Sequence, residues 1–359
     1  MIEVDKMNDY TTRIDNLIRR HPLEIDTDVI IQGRVPSAAS SEFLTNKEQG
    51  DWAEKLVLAS INASSPKYVA LPYGRSDSIA AGDPGFADFY ANYLNELNTI
   101  GKRPDILIFK REDAPVDGIV DVQDNELISK AVAAIEVRSS SFLSKKYAEF
   151  MERRETEALE ACMKLKEEIL AEPYGSILLR KKPETFAFLG AATPATFKEL
   201  SVPNFPFRSS QELRFIAEKM KEIKKFNDVL RKRDYLSITP KKEDLALVNR
   251  WVQHYGVPHY YLQVFFDRGY VISFEKILEI SSNPDLEGNV FSVEKDEKNQ
   301  GKTTIKIDIK EAEPIIGRID MPCHFSQMKE LERGRLLFYV KFEGGQGFLD
   351  LVKLDSMLA

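Results

Sequence analysis

Residues that build covalent or metal-held frameworks are scarce in this chain. Among 359 residues there are only two cysteines, Cys162 and Cys323, and four histidines. Two cysteines so far apart in sequence give no sign of a disulfide framework or of a cysteine-rich zinc site. We therefore expect a protein that is held together by a hydrophobic core in a reducing compartment, the cytoplasm.

Long apolar runs are also missing. No stretch approaches the roughly 20 apolar residues that a membrane-spanning helix needs, so no membrane partner is expected. The first residues, Met1-Ile2-Glu3-Val4-Asp5, have neither the basic start nor the apolar centre of a signal peptide. There is no internal repeat and no low-complexity segment. A hydrophobic content of 43% is that of an ordinary globular protein.

An overall excess of positive charge is absent, since the formal net charge is −7. This argues against a protein that coats nucleic acid without specificity, although a basic cleft can still steer a polyanion locally. Residues 208–242 hold eleven Lys or Arg against five Asp or Glu. This stretch is expected to be mostly helix, and two readings stay open, a track along a DNA backbone or an ordinary solvated face.

The pattern of elements predicts an α/β protein with a mixed central sheet flanked by helices. Helices are expected in 1–62 and 145–172 and from Thr239-Pro240 to Tyr255-Gly256. Residues 64–104 are expected to form a long loop, 186–189 a short strand, and 260–274 a β-hairpin turning at Asp267-Arg268-Gly269. Strands are expected over 303–309, 336–342 and 347–352. Three regions follow: a helical region 1–62, a core 63–282 with inserted basic helices, and a β-rich region 283–359.

Two acids at the ends of two apolar runs are the most informative feature. Asp105 precedes the run 106–109, and Glu136 follows the run 131–135. On adjacent strands, their carboxylates would share one edge of a sheet and form a hard-oxygen site suited to Mg²⁺. The backbone carbonyl of Val137 is a candidate third ligand. Arg138 lies two residues after Glu136 and therefore on the same strand face.

This combination indicates phosphodiester chemistry. Hydrolysis of a phosphodiester requires an activated water, neutralisation of the phosphate charge and help for the leaving oxygen, and a divalent metal can supply all three. Asp105 and Glu136 are the predicted metal ligands. Arg138 is predicted to hold the phosphate that the metal also contacts.

The same residues resemble the PD-(D/E)xK nuclease superfamily. Pro104-Asp105, then about thirty residues, then Ile135-Glu136-Val137-Arg138-Ser139-Ser140 is similar to the pattern of that superfamily. The segment Gly50-Asp51-Trp52-Ala53-Glu54 resembles its first helix, whose glutamate often joins the metal site. This nominates Glu54, with Glu48 as a competitor. Residues 101–105 and 261–267 are similar to the AccI-like group, and the whole resemblance covers 47–141 and 259–274.

What the resemblance implies is a restriction-endonuclease-like fold and a type II restriction endonuclease. It implies double-stranded DNA as substrate, Mg²⁺ as cofactor, a homodimer that matches a palindromic site, and a cognate DNA methyltransferase in the host. Two alternatives stay open. One is a sequence-nonspecific or structure-specific repair nuclease of the same fold, and the other is a catalytically inactive DNA-binding protein.

One departure from the superfamily concerns position 138. The usual third residue is lysine, and here it is Arg138, which cannot lose its proton under these conditions. Arg138 therefore suits phosphate binding and polarisation of water rather than proton abstraction. Lys145 or Lys146 is a candidate substitute cation.

Further contacts to DNA are predicted from two loops. Arg pairs bidentately with guanine in the major groove, so the loop Arg75-Ser76-Asp77 could read bases or hold phosphate, and its competing interpretation is an ordinary polar turn. Ser139, Ser140, Ser141 and Lys145, just beyond the second acid, are predicted to contact DNA.

Overall fold

The structure is a computed structural model that describes residues 2–36, 39–73, 79, 81–232, 234–296, 302–331 and 334–359, with the side chains of 2–8 and 296 left out. Within it the chain forms two compact units. One comprises Met1–Ser144 and Leu236–Ala359, and the other comprises Lys145–Tyr235. The three regions proposed from the sequence stay a prediction.

Most strands belong to one large sheet in the first unit. In chain order the strands are β1 Tyr68–Pro72, β2 Ile106–Lys110, β3 Ala133–Ser139, β4 Ser237–Ile238, β5 His259–Val264, β6 Gly269–Ser273, β7 Phe291–Asp296, β8 Lys302–Asp308, β9 Glu313–Asp320, β10 Cys323–Glu330, β11 Leu336–Glu343 and β12 Gln346–Leu349. The large sheet has the order β1-β2-β3-β5-β6-β9-β12. Its β3–β5 pair is parallel and its other pairs are antiparallel. The sheet is therefore mixed, as predicted.

The helices flank this sheet or build the second unit. They are α1 Ile2–Arg19, α2 Ser41–Ser64, α3 Phe86–Thr99, α4 Asn125–Ile128, α5 Ser144–Leu170, α6 Tyr174–Lys181, α7 Pro183–Ala191, α8 Gln211–Arg231, α9 Lys242–Tyr255, α10 Phe274–Ser282 and α11 Leu351–Leu358. Helices α5 to α8 surround a hydrophobic core of their own. In the part of the chain described, no helix is long and apolar enough to cross a membrane.

The alternation of side chains along the central strands separates two cores. On one face, Leu107, Ala134 and Tyr261 pack in a cluster with Trp251 of α9. On the other face, Ile106 and its neighbours pack in a cluster with α2. Because residues i and i+2 of a strand share a face, Glu136 lies on the α9 face. The side chain of Val137 points the other way, into the α2 core, as its apolar character predicts.

Two smaller sheets complete the first unit. Strands β10 and β11 form an antiparallel pair, and the third sheet has the order β4-β8-β7. The C-terminal part is therefore rich in strands, as expected.

Three local predictions were wrong. The expected loop 64–104 contains β1 and α3, and the expected strand 186–189 lies within α7. Pro183 stands in the first turn of α7, where the missing N–H costs nothing, and a four-residue apolar run does not by itself distinguish strand from helix. The expected strand 347–352 ends at Leu349, because Asp350 accepts backbone N–H groups of the next helix, α11.

Other local predictions are confirmed. Helix α9 ends at Tyr255, where Gly256 adopts a left-handed conformation with φ of 72°, although it begins at Lys242 rather than at Thr239-Pro240. The β5–β6 hairpin turns where predicted, with the N–H of Phe265 donating to the carbonyl of Arg268. The basic helix of the second unit, α8, buries an apolar stripe that includes Leu213 and Ile216.

Candidate active site

The two acids of the sequence motif lie side by side on neighbouring strands. In the antiparallel β2–β3 pair, Ile106 lies opposite Ile135, so Asp105 comes opposite Glu136. The backbone N–H of Asp105 donates to the carbonyl of Ile135 at 3.0 Å. Asp105 Oδ2 accepts the backbone N–H of Val137 at 2.7 Å. The start of β2 and the middle of β3 therefore present both carboxyl groups together.

Glu136 is a buried carboxylate held by two cations. Its side chain is 6% exposed, and its Oε1 lies 2.7 Å from Lys102 Nζ and 2.9 Å from Arg138 Nη2. Burial alone would raise the pKa of Glu136, but Lys102 and Arg138 outweigh burial and lower that pKa below its ordinary value. Its Oε2 is buried and has no hydrogen-bond partner among the described residues.

Asp244 closes this group of charges from the opposite side. Its Oδ2 lies 3.0 Å from Lys102 Nζ and 3.3 Å from Arg138 Nη2. Burial alone would lower the pKa values of Lys102 and Arg138. The charges of Glu136 and Asp244 act in the opposite direction and outweigh burial, so both pKa values lie above their ordinary values. Two cations thus face two anions, and neither cation gives up its proton near neutral pH. We call these four residues the ion network.

Lys102 reaches the ion network because the chain turns tightly onto α9. Gly101 has a φ of +91°, and a Cβ at this position would lie 2.2 Å from the carbonyl oxygen of Leu247. Only glycine fits such a close approach in that conformation. The backbone N–H of Lys102 then donates to the same carbonyl at 3.0 Å. Since Leu247 and Asp244 share α9, this contact brings Lys102 to Asp244.

Lys102 and Asp244 are the site residues that sequence reasoning missed. Lys102 lies in the segment 101–105 that was noted for its family resemblance, and a basic residue three positions before Asp105 was the available signal. Asp244 gave no signal, because it stands on a helix 106 residues after Arg138. Lys102 is a cation within hydrogen-bonding reach of Glu136, at 2.7 Å.

Asp105 lies in a more acidic environment than Glu136. Burial, followed by the charges of Glu136 and Glu54, raises the pKa of Asp105 well above its ordinary value. The N–H of Val137 and the charge of Lys102 act in the opposite direction but do not cancel the increase. A negative charge on Asp105 is therefore disfavoured unless a cation is bound beside it.

The two competing glutamates of α2 are separated by the structure. Glu54 lines a cleft together with Asp105 and Glu136. Glu48 is absent from that lining and instead acts on the charge of Lys341, whose pKa it helps to raise after the larger effect of Glu343. Of the two, Glu54 is the one placed to act with the acidic pair.

The cleft has a volume of about 730 Å³ and extends from the acids between α2 and α3. Residues of α3 that line it include Glu96, which forms an ion pair with Arg103 at 2.7 Å. Arg103 stands two residues before Asp105, so this ion pair ties α3 to the motif. Both carboxyl-bearing residues of the motif, Asp105 and Glu136, line this cleft.

The donor set is small for a metal site built from protein alone. Among the described residues, no group of three or more His, Cys, Asp or Glu side chains is placed to hold a metal ion. Asp105 and the unpartnered Oε2 of Glu136 nevertheless supply two carboxylate oxygens. Residues Ile135 and Val137 direct their backbone groups to the same strand edge, so the Val137 carbonyl lies on the β2 side of β3. Such a set fits a cation that keeps several waters.

The predicted DNA contacts have different outcomes. Arg75, Ser76 and Asp77 lie outside the described residues. Ser139 is the last residue of β3, and Ser140 and Ser141 follow it; the first two are half-buried and Ser141 is exposed. The N–H of Ser140 donates to the carbonyl of Val264 at 2.9 Å. Lys145 is exposed at the start of the second unit. The roles of these residues stay predictions.

Beneath the ion network lie two buried aromatic groups of β5. Tyr261 is opposite Glu136 in the β3–β5 register, and His259 is opposite Ala134. Burial lowers the pKa of His259 to about 4, with smaller contributions from nearby charges, so the ring is neutral at physiological pH. His259 is buried, with about 1% of its surface exposed.

Comparison with known proteins gives one match. No curated protein and no solved structure is significantly similar to the chain. The family model described as AccI restriction endonuclease matches residues 9–359, nearly the whole chain. Restriction endonucleases are hydrolases that cleave DNA, and the chain belongs to the AccI restriction endonuclease family.

Proposed function

We propose that this protein is a type II restriction endonuclease that hydrolyses phosphodiester bonds at a specific sequence in double-stranded DNA with Mg²⁺. The observation that carries the proposal is the meeting of Asp105 and Glu136 in one cleft, beside the half-buried cations Lys102 and Arg138. Carboxylates that can hold a metal, next to fixed positive charge, are suited to a phosphate that gains charge during reaction.

Asp105, Glu136 and the carbonyl of Val137 would hold Mg²⁺, with Glu54 contributing from α2. When bound, Mg²⁺ supplies Lewis acidity toward the scissile phosphate and lowers the pKa of water. The strand pairing keeps both carboxyl groups in place, since the N–H of Val137 orients Asp105. The lowered pKa of Glu136, set by Lys102 and Arg138 against the effect of burial, keeps this residue ionised as a ligand.

The two cations have different tasks in this proposal. Lys102 lines the cleft and Arg138 stands beside it, but Arg138 is the more exposed of the two, 32% against 17%. We therefore assign the contact with a phosphate to Arg138. Its guanidinium can bind phosphate oxygens in pairs. Lys102 is a positioning residue that holds Glu136. The role usually given to one lysine is thereby divided between two side chains.

The remaining assignments are part of the same proposal. A palindromic target would be bound by a homodimer, because symmetry in the DNA site mirrors symmetry in the protein. Ser139, Ser140, Ser141, Lys145 and the loop Arg75-Ser76-Asp77 would contact the DNA. The protein would act in the cytoplasm, alongside a cognate DNA methyltransferase that protects the host.

The test is digestion of a sequenced plasmid by the purified protein, with Mg²⁺ and with EDTA, followed by mapping of the fragment ends. Discrete fragments that require Mg²⁺ and share an end sequence are expected. The Asp105→Asn variant should cut nothing, whereas the matched control Asp113→Asn, at an exposed position outside the cleft, should cut normally.

Two outcomes would contradict the proposal in different ways. A smear of fragments would identify a nonspecific or structure-specific nuclease of the same fold. Intact DNA that is still retarded in a gel-shift assay would identify an inactive DNA-binding protein, in which Arg138 has replaced a required lysine.

A further inference from the structure

Helix α3 carries aromatic side chains along one face. Phe86, Phe89, Tyr90 and Tyr93 follow the spacing i, i+3, i+4, i+7, which places them on a single stripe. Such a stripe normally faces a hydrophobic core. In this helix, however, the one fully buried residue is Leu97. The four aromatic residues are half-buried and do not belong to the core clusters formed by the described residues.

The four rings form a continuous wall. The ring centroids of Phe86 and Phe89 are 6.0 Å apart, those of Phe86 and Tyr90 are 6.0 Å apart with nearly parallel planes, and those of Tyr90 and Tyr93 are 6.5 Å apart. We call these four residues the aromatic wall. At a rise of 1.5 Å per residue, it extends over roughly 10 Å of the helix axis. This is a surface of ring faces and edges long enough for more than one nucleobase.

The aromatic wall and the acidic pair line the same cleft. Its lining includes all four aromatic residues together with Asp105, Glu136 and Glu54. Glu96, one turn after Tyr93, is bound to Arg103 at 2.7 Å. Tyr93, the last residue of the aromatic wall, therefore lies about 5 Å along the helix axis from Glu96, which is tied to the Pro104-Asp105 motif through Arg103. A group resting on the wall would lie close to the phosphate that is cut.

The opposite side of the cleft, formed by α2, exposes polar groups beside the ring of Phe43. Helix α2 contributes Asn46, Lys47 and Asp51, and Gly50 leaves open space, since a Cβ there would meet nothing within 4 Å. A volume of about 730 Å³ lies within the range of sites that enclose one small ligand. The cleft thus suits single nucleotides rather than a stacked duplex, with a ring face on one side and hydrogen-bonding groups on the other.

We propose that the aromatic wall stacks a nucleobase of the cleaved strand that has left the duplex beside the scissile phosphate. The proposal rests on the proposed DNA-cleaving function. Every nucleobase has a π face, so aromatic side chains can hold an extruded base whatever its identity, and enclosed pockets are where extruded bases are bound. The polar groups of α2 would then contact the edge of that base.

Crosslinking tests the placement of the base. The probe is plasmid DNA amplified with partial replacement of thymine by 5-iodouracil, bound to the full chain with Ca²⁺ in place of Mg²⁺ and irradiated. Trypsin cuts after Arg75 and Lys102 and at no position between them, so α3 lies in one peptide, residues 76–102. A crosslink within 86–93 of this peptide is expected.

Matched variants test the contribution of the rings. The double variant Phe89→Leu/Tyr93→Leu keeps apolar volume but removes π faces, and we expect about tenfold weaker binding of the DNA probe. The variant Phe89→Tyr/Tyr93→Phe should bind within about twofold of the wild type, since it keeps both rings. Phe338→Leu, at an exposed aromatic residue of β11, is the control and should bind as the wild type does.

The outcomes separate this proposal from the proposed function. Uncut plasmid together with a crosslink in residues 86–93 would remove the nuclease function and leave the base-stacking role in place. Cleaved plasmid, with crosslinks only elsewhere and unchanged binding by the leucine variant, would overturn the base-stacking role alone. Unchanged DNA binding with an altered oligomeric mass would also overturn it, because the aromatic wall would then be a protein interface.

Discussion

The two acids that line the cleft, Asp105 and Glu136, differ in the charges that surround them. Asp105 lies near Glu54, and its pKa is raised by burial and by the neighbouring carboxylates. Glu136 is more deeply buried than Asp105, yet Lys102 and Arg138 overcome burial and lower its pKa. Burial is shared by both acids, so the neighbouring charges decide the direction of the shift. The charge of Glu136 is already neutralised by protein groups, whereas the surroundings of Asp105 favour an added cation.

The largest effect is expected for Glu136→Gln. Removing this charge leaves the half-buried cations Lys102 and Arg138 with one of their two carboxylate partners in the ion network, Asp244. Breaking a buried ion pair from one side costs about 3 kcal/mol or more, so the free energy of unfolding should fall by about that amount, and cleavage should be lost. Urea denaturation and plasmid digestion measure the two changes. Unchanged stability would mean that the ion network does not exist in solution.

Asp105→Asn should also abolish cleavage, by about a thousandfold, but with the opposite effect on stability. Because the raised pKa of Asp105 is caused by burial and like charges, the amide should stabilise the metal-free protein by about 1 kcal/mol at neutral pH. The folded wild type binds a proton more tightly than the unfolded chain at this site. The unfolding free energy should therefore decrease as the pH rises above about 4.

Urea denaturation of the metal-free protein over this pH range checks the Asp105 prediction, with Asp113→Asn as the control. The variant Asp105→Asn should lose that part of the pH dependence. The contribution of Glu136 has the reverse sign, since its lowered pKa gives stability that is lost as the pH falls below about 4. A destabilised Asp105→Asn protein would contradict the conclusion that the negative charges around Asp105 outweigh the positive ones.

Arg138→Lys should have a moderate effect. The charge beside Glu136 is kept, but lysine cannot bind phosphate oxygens in pairs as arginine does. With Lys102 still holding Glu136, we expect kcat to fall by about tenfold while stability changes little. A comparison with Lys102→Met is informative, because this variant should lower both activity and stability. Full loss of cleavage in Arg138→Lys, or equal effects of both variants, would contradict the division of tasks between the two cations.

The smallest effect is expected for Glu54→Gln. Glu54 lines the cleft and acts on Asp105 through space. Its charge raises the pKa of Asp105 less than burial and Glu136 do. We expect cleavage to fall by about tenfold or less, with a higher Mg²⁺ concentration needed for half-maximal activity. Glu48→Gln, on the same helix but outside the cleft lining, should behave as the wild type. Equal effects of the two substitutions would remove Glu54 from the site.

Local patterns in the sequence were sufficient for much of the frame. The mixed sheet, the hairpin at Asp267-Arg268-Gly269 and the end of α9 at Gly256 follow from side-chain periodicity and turn residues. The expected loop 64–104 was wrong, although the aromatic spacing of 86–93 has the period of a helix. There the glycines, prolines and aspartates upstream obscured a signal that is only eight residues long.

The sequence by itself determined that Asp105 and Glu136 end up together, because strand period and short spacing place both on neighbouring strands. The tertiary structure alone decided what surrounds them. Lys102 and Asp244 are 142 residues apart and meet only through the close contact of Gly101 with α9. A pKa shift depends on distance and burial in space rather than on position in the chain. The contrast between the two acids, and the wall that shares their cleft, therefore appeared only in the folded protein.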